Sequence, residues 1–126
     1  MDKTIDIEAA TIKLREDGIM HVHIKIKMNF ELEHSMQIVA ARTKLAAGQS
    51  YPMLYTATKF VIPSAEVREY VASESRSKLV SADAFVINSL PQRIIANFYR
   101  KFNKPVRPTK VFDNVDEAIK WLKNYV

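Results

Sequence analysis

The sequence contains no cysteine in its 126 residues. That excludes disulfides, thiol catalysis and cysteine-ligated zinc, and makes the cytosol the expected compartment. Only two glycines are present, Gly18 and Gly48. Walker-type and dinucleotide-binding loops need several glycines so that backbone can approach phosphate, so both are excluded. No Gly-x-Ser-x-Gly elbow occurs. No apolar run approaches the roughly 18 residues of a membrane span. The opening Met1-Asp2-Lys3-Thr4-Ile5-Asp6 lacks a basic stretch followed by an apolar one, so no signal peptide is expected. Acidic residues are missing between Asp83 and Asp113.

Apolar residues make up 48% of the chain, enough for one sizeable core. The length fits a single domain spanning residues 1–126. The formal charge is +5. A basic balance of this kind suits nucleic acid, anionic lipid or an acidic protein. Here it is local, because Arg93, Arg100, Lys101, Lys104, Arg107 and Lys110 all fall inside the acid-free window.

Period-two alternation marks the first elements. Ile12 and Leu14 share one strand face. From Ile19 to Met28, Met20, Val22, Ile24, Ile26 and Met28 alternate with His21, His23, Lys25 and Lys27. A two-residue turn at Asp17-Gly18 would set Leu14 against His21. A three-residue turn, Glu16-Asp17-Gly18, sets Leu14 against Met20 and Ile12 against Val22, with Gly18 in the left-handed position. Ile5 and Ile7 are out of phase with this pattern, which points to a bulge at Ala9-Ala10.

Residues 31–47 form a helix with Leu32, Met36, Val39 and Ala40 as its stripe and Gly48 as its stop. A short strand covers Tyr51 to Ala57. Pro63-Ser64 opens a helix carrying Val67 and Val71, and Leu79 to Asn88 holds a buried strand. A helix follows from Pro91 to about Asn103. Lys110-Val111-Phe112 is the last strand, and Asn114 with Glu117 caps a closing helix whose stripe is Val115, Ala118, Ile119 and Leu122. A hairpin followed by alternating helices and strands predicts an α/β fold, a mixed sheet with parallel inner strands and about four covering helices.

This order resembles the STAS-like fold of bacterial anti-sigma-factor antagonists over nearly the whole chain. The run Asn97-Phe98-Tyr99-Arg100-Lys101-Phe102-Asn103-Lys104-Pro105, then Pro108-Thr109-Lys110-Val111-Phe112 and Glu117-Ala118-Ile119-Lys120-Trp121-Leu122, is similar to the C-terminal part of SpoIIAA-like bacterial proteins. The resemblance implies a binding or regulatory module without a cofactor. In the antagonists a regulatory serine follows an aspartate at the loop entering the second helix. The matching position is Ser64, preceded here by Pro63 and followed by Ala65-Glu66. Without the acid, its expected role is to cap the helix.

Other constellations are weaker. His21, His23 and His34 are zinc-type donors, but Lys25 and Lys27 share the strand face and no fourth ligand is spaced for them, so no metal is expected. Asp116 and Glu117 sit in a first helical turn, where they complement the dipole. Loops after parallel strands gather at one end of a sheet. They would bring together Thr58, Lys59, Ser64, Asn88, Ser89, Arg93 and Asn114, the best place for a small anion, although caps and turns use the same residue types. In the 91–103 helix, Ile94, Ile95, Phe98, Tyr99 and Phe102 form a broad apolar stripe expected to face the core, with Arg93, Arg100 and Lys104 opposite. Trp121 lies off its helix's stripe and is expected to be half-exposed.

No catalytic set emerges. The expected function is a non-enzymatic module that docks an acidic protein or a second copy through the basic segment. The alternative is a lipid or small-anion carrier with a pocket between the sheet and helix 91–103, suggested by Phe85, Phe98, Phe102 and Phe112. Nucleic acid is disfavoured, because the strands lack stacking aromatics.

Overall fold

The structure is a computed structural model that describes residues 3–25, 30–57, 63–73 and 79–126. Its strands are β1 (Lys3–Asp6), β2 (Ala10–Leu14), β3 (Met20–Ile24), β4 (Tyr51–Ala57), β5 (Val80–Val86) and β6 (Thr109–Phe112). The helices among the described residues are α1 (Leu32–Ala46), α2 (Ala65–Ala72), α3 (Leu90–Phe98) and α4 (Val115–Leu122). A π-helical turn, Tyr99–Asn103, continues α3. The sheet runs in sequence order, β1 to β6. Pairing is antiparallel from β1 to β3 and parallel from β3 to β6.

The β2–β3 register is the one expected, with Ile12 opposite Val22 and Leu14 opposite Met20. Gly18 has φ +84°, and a Cβ there would stand 2.7 Å from Val126 Cγ1, so the turn and the packing both require glycine. The chain opens on three strands rather than two. Ile7 N–H donates to Ala10 O at 2.9 Å and closes a turn that sets Ile5 against Ile12. The phase slip between Ile5 and Ile12 is therefore a turn, and Ala9-Ala10 is no bulge. β3 ends at Ile24, and the further alternation at Ile26, Lys27 and Met28 lies outside the described residues.

Alternation gives the sheet two apolar faces. On one, Ile12, Met20, Val22, Met53 and Tyr55 pack with Ile38, Leu45 and Val67 from α1 and α2. On the other, Ile19, Leu54, Ala82 and Ala84 pack with Ala118 and Leu122 of α4. In α4 these two carry the burial, whereas Val115 is exposed. α1 is rotated from the expected stripe. It buries Ser35, Ile38, Ala41, Arg42, Leu45 and Ala46, while Met36 is 52% exposed. The branched residues Ile38 and Leu45, one heptad apart, direct the helix to the sheet more strongly than the flexible Met36. Trp121 is half-buried as expected, its ring 5.7 Å from Phe112 and 4.9 Å from Tyr125.

Arg107 was expected on a basic surface. It is instead buried, and its Nη1 donates to Asp83 Oδ2 at 2.9 Å and to Val71 O at 2.8 Å. Nη2 donates to Ser73 O at 2.9 Å. Asp83 points from β5 into an otherwise apolar layer, so a cation has to be drawn in to meet it. Local sequence cannot reveal this pair, because its partners are 24 residues apart. Replacing Arg107 by Leu strands the carboxylate and two carbonyls. The expected loss is about 3–5 kcal/mol of unfolding free energy. Urea denaturation measures this directly, and a loss below about 1 kcal/mol would contradict the assignment.

Candidate functional site

The site is built around α3. Its start is fixed by Ser89, whose Oγ accepts from Gln92 N–H at 3.3 Å, with Pro91 in the first turn. No residue of Leu90–Phe98 is buried. The expected core stripe divides between two faces. Ile95 and Tyr99 turn toward the sheet, whereas Leu90 (69%), Ile94 (59%), Phe98 (44%) and Phe102 (61%) are exposed. The two phenylalanine rings lie 4.6 Å apart. An apolar arc this wide cannot all face one layer, and the inner half already meets the sheet.

Between α3 and the sheet lies a cavity of about 160 Å³. Phe30, Ile38, Tyr55, Val67, Phe85 and Ile95 give it apolar walls, and Ala96 and Tyr99 close it from α3. Tyr55 stacks on Phe85 at 4.9 Å, and Tyr99 meets Phe85 edge-on at 6.0 Å. The polar lining residues are Ser35, Thr56, Arg68 and Gln92. Arg68 Nη1 donates to Pro63 O at 2.7 Å, and its guanidinium carbon stands 5.4 Å from the Phe98 ring centre. The position of the pocket, beneath helix 91–103, is the one expected. Its walls are not. Phe98 and Phe102 lie outside it, and Phe112 packs beside Trp121 on the opposite sheet face. Pattern alone could not name Tyr55 or Phe30, since neither stands out from core.

The basic segment is thinner than its sequence suggests. Arg107 is buried, and Arg93 is ion-paired with Asp113. The two acids that bound the acid-free window therefore each meet a cation from within it. Arg100, Lys101, Lys104 and Lys110 are exposed. Lys101 and Lys110 stand 5.4 and 5.5 Å over the rings of Phe102 and Phe112.

Of the residues expected at a small-anion site, those described bond within the fold. Ser64 Oγ accepts from Val67 N–H at 3.2 Å, and Asn114 Oδ1 accepts from Glu117 N–H at 2.9 Å. With Ser89 these are helix caps, each worth about 1 kcal/mol. Asn88 donates its backbone N–H to Gln92 Oε1. Thr58 and Lys59 lie outside the described residues.

The histidines separate into two sets. His34 Nδ1 accepts from Glu31 N–H at 2.9 Å and closes the start of α1. His21 and His23 are half-buried rather than solvent-facing, and both bond Thr56 Oγ1 at 2.7 Å. Among the described residues, no three His, Asp or Glu side chains are grouped for a metal. Burial lowers the His21 pKa from 6.5 to about 4, helped by the nearby charges of His23, Arg15 and Lys13.

Among solved structures, the fold is SpoIIAA-like. The chain is similar to an uncharacterised protein of the DUF3478 family from Shewanella loihica PV-4, at a TM-score of 0.59 and 14% identity. The match covers 97% of this chain and 95% of that one. Residues 12–126 match the domain of unknown function DUF7793, and the chain belongs to that family. No curated protein matches it. No helix among the described residues is long and apolar enough to cross a membrane.

The His21 shift has a signed consequence. Between about pH 4 and 6.5 the unfolded chain binds the proton and the folded chain does not, so stability is full above about 6.5 and falls toward 4. His21→Gln removes this titration. Urea midpoints at pH 7 and pH 5 should fall less in the variant than in the parent. Equal declines would show that His21 does not carry the effect.

Proposed function

We propose that the protein is a binding module, with no chemistry of its own, that takes a small apolar ligand in the cavity beneath α3. The supporting observation is the cavity itself, apolar-walled and roofed by a helix that buries no side chain along Leu90–Phe98. The apolar walls around this space of about 160 Å³ are what a guest would cover. Engineered apolar cavities of nearly this size take benzene. Ala96 lines the cavity from α3, and Ala96→Leu should fill much of it. Benzene should raise the melting temperature of the parent by a few degrees and leave the variant nearly unchanged. No shift in either protein would end this reading.

A second reading is favoured by the outer face of the same helix. Leu90, Ile94, Phe98 and Phe102, continued by Val106 (54% exposed), form an apolar stripe. Arg100, Lys101, Lys104 and Lys110 are exposed in the same segment without an acidic residue among them. Charge complementarity favours an acidic protein partner that combines apolar and carboxylate side chains. Reversing Arg100 and Lys104 to Glu should leave the fold intact, since both are exposed. It should reduce capture of acidic partners from lysate, most at low salt, because exposed charges are screened over about 10 Å at 0.1 M. Unchanged capture at every salt concentration would mark the face as merely solvated.

A further inference from the structure

The charged exception in the cavity wall points to the kind of ligand. Arg68 is a cation at the edge of an apolar space. Its Nε is buried and has no hydrogen-bond acceptor. Among the described residues, the acceptor it meets is the Pro63 carbonyl, through Nη1, and no carboxylate pairs with it. Of the two arginines buried in the core, Arg42 and Arg107, the second is matched by Asp83. A guanidinium next to low-dielectric space without a counter-charge is costly, and an anion delivered there is held strongly.

The geometry also holds the group in place. Pro63 O anchors one end of the guanidinium, and the Phe98 ring lies 5.4 Å from its carbon. Arg68 therefore bridges α2 and α3 at the rim of the cavity. One cation matches one negative charge. The apolar walls of Val67, Phe85 and Ile95 exclude further charge from the guest's body. The volume accommodates a body about the size of benzene.

We infer that the cavity takes a small monocarboxylic acid, its carboxylate on Arg68 and its hydrocarbon body between α3 and the sheet. This rests on the ligand-binding reading above and goes further by naming the charge. A dianionic phosphate ester would leave one charge unmatched and is disfavoured.

Hexanoate and 1-hexanol share a six-carbon chain and differ in charge, so they separate the two claims. By calorimetry at pH 7, where the acid is ionised, the parent protein should bind hexanoate roughly tenfold or more tightly than hexanol, the size expected of one charge-assisted hydrogen bond. Arg68→Met keeps the apolar stem and should bring the two affinities together, mainly by weakening hexanoate. Arg68→Lys should keep part of the preference. If the parent binds both equally, or Arg68→Met retains the preference, the assignment of Arg68 is wrong and the apolar cavity stands. Binding of neither compound overturns both. Circular dichroism reports whether Arg68→Met folds. If it does not, the parent's acid-to-alcohol ratio together with Arg68→Lys decides.

Discussion

Two charges removed from water hold this fold's functional half in place. Asp83 stands inside the sheet, and Arg107 reaches it while also binding the carbonyls of Val71 and Ser73. One guanidinium thus joins β5, the end of α2 and the segment leading into β6. α3 lies between β5 and Arg107 in sequence, so its exit is fixed by the ion pair and its entry by the Ser89 cap. The helix is held by its two ends more than by its middle. That is why it can span a cavity without filling it. Bonding to charged partners of this kind adds little net stability, yet losing one member is expensive, and that asymmetry locks the geometry.

α3 consequently has two apolar sides with different duties. Ile95 and Tyr99 face the cavity, while Leu90, Ile94, Phe98 and Phe102 face outward. Arg68 touches both, lining the cavity and standing against Phe98. A guest that moves the Arg68 guanidinium also moves its contact with the outer stripe. The two readings of function therefore share a residue.

Much of the architecture was legible in the chain. Strict alternation around Gly18 defined the β2–β3 register, because a slip of one residue would have turned every apolar side chain to the wrong face. Ser64 and Asn114 identified the starts of α2 and α4 by cap chemistry, and Pro91 that of α3. The place of the pocket was expected from Phe85, Phe98, Phe102 and Phe112, of which only Phe85 lines it. What could not be read is non-local. Asp83 and Arg107 look like two ordinary charges until the sheet brings them together. Ile94 and Phe98 look like core, because periodicity tells which residues share a side and not which side is covered. Ile5 seemed out of phase because a turn of three residues and a bulge shift the pattern alike. Arg68 carried no signal at all, being one arginine in a helix rich in charge.

The π turn at Tyr99–Asn103 adds a constraint on length. A turn of this type holds one more residue than the α turn it replaces, so it stores a residue of slack between α3 and the fixed point at Arg107. Deleting one residue there could restore regular α geometry while both anchors stay where they are. Side chains after the deletion would keep nearly the same direction around the axis, because the residue removed is the extra one of the turn. Phe102 would then stay close to the outer row headed by Leu90, while the turn loses one of its exposed basic residues, Arg100 or Lys101. The spacing between Tyr99 and Lys104 thus absorbs a change in chain length with little movement of either apolar side of the helix.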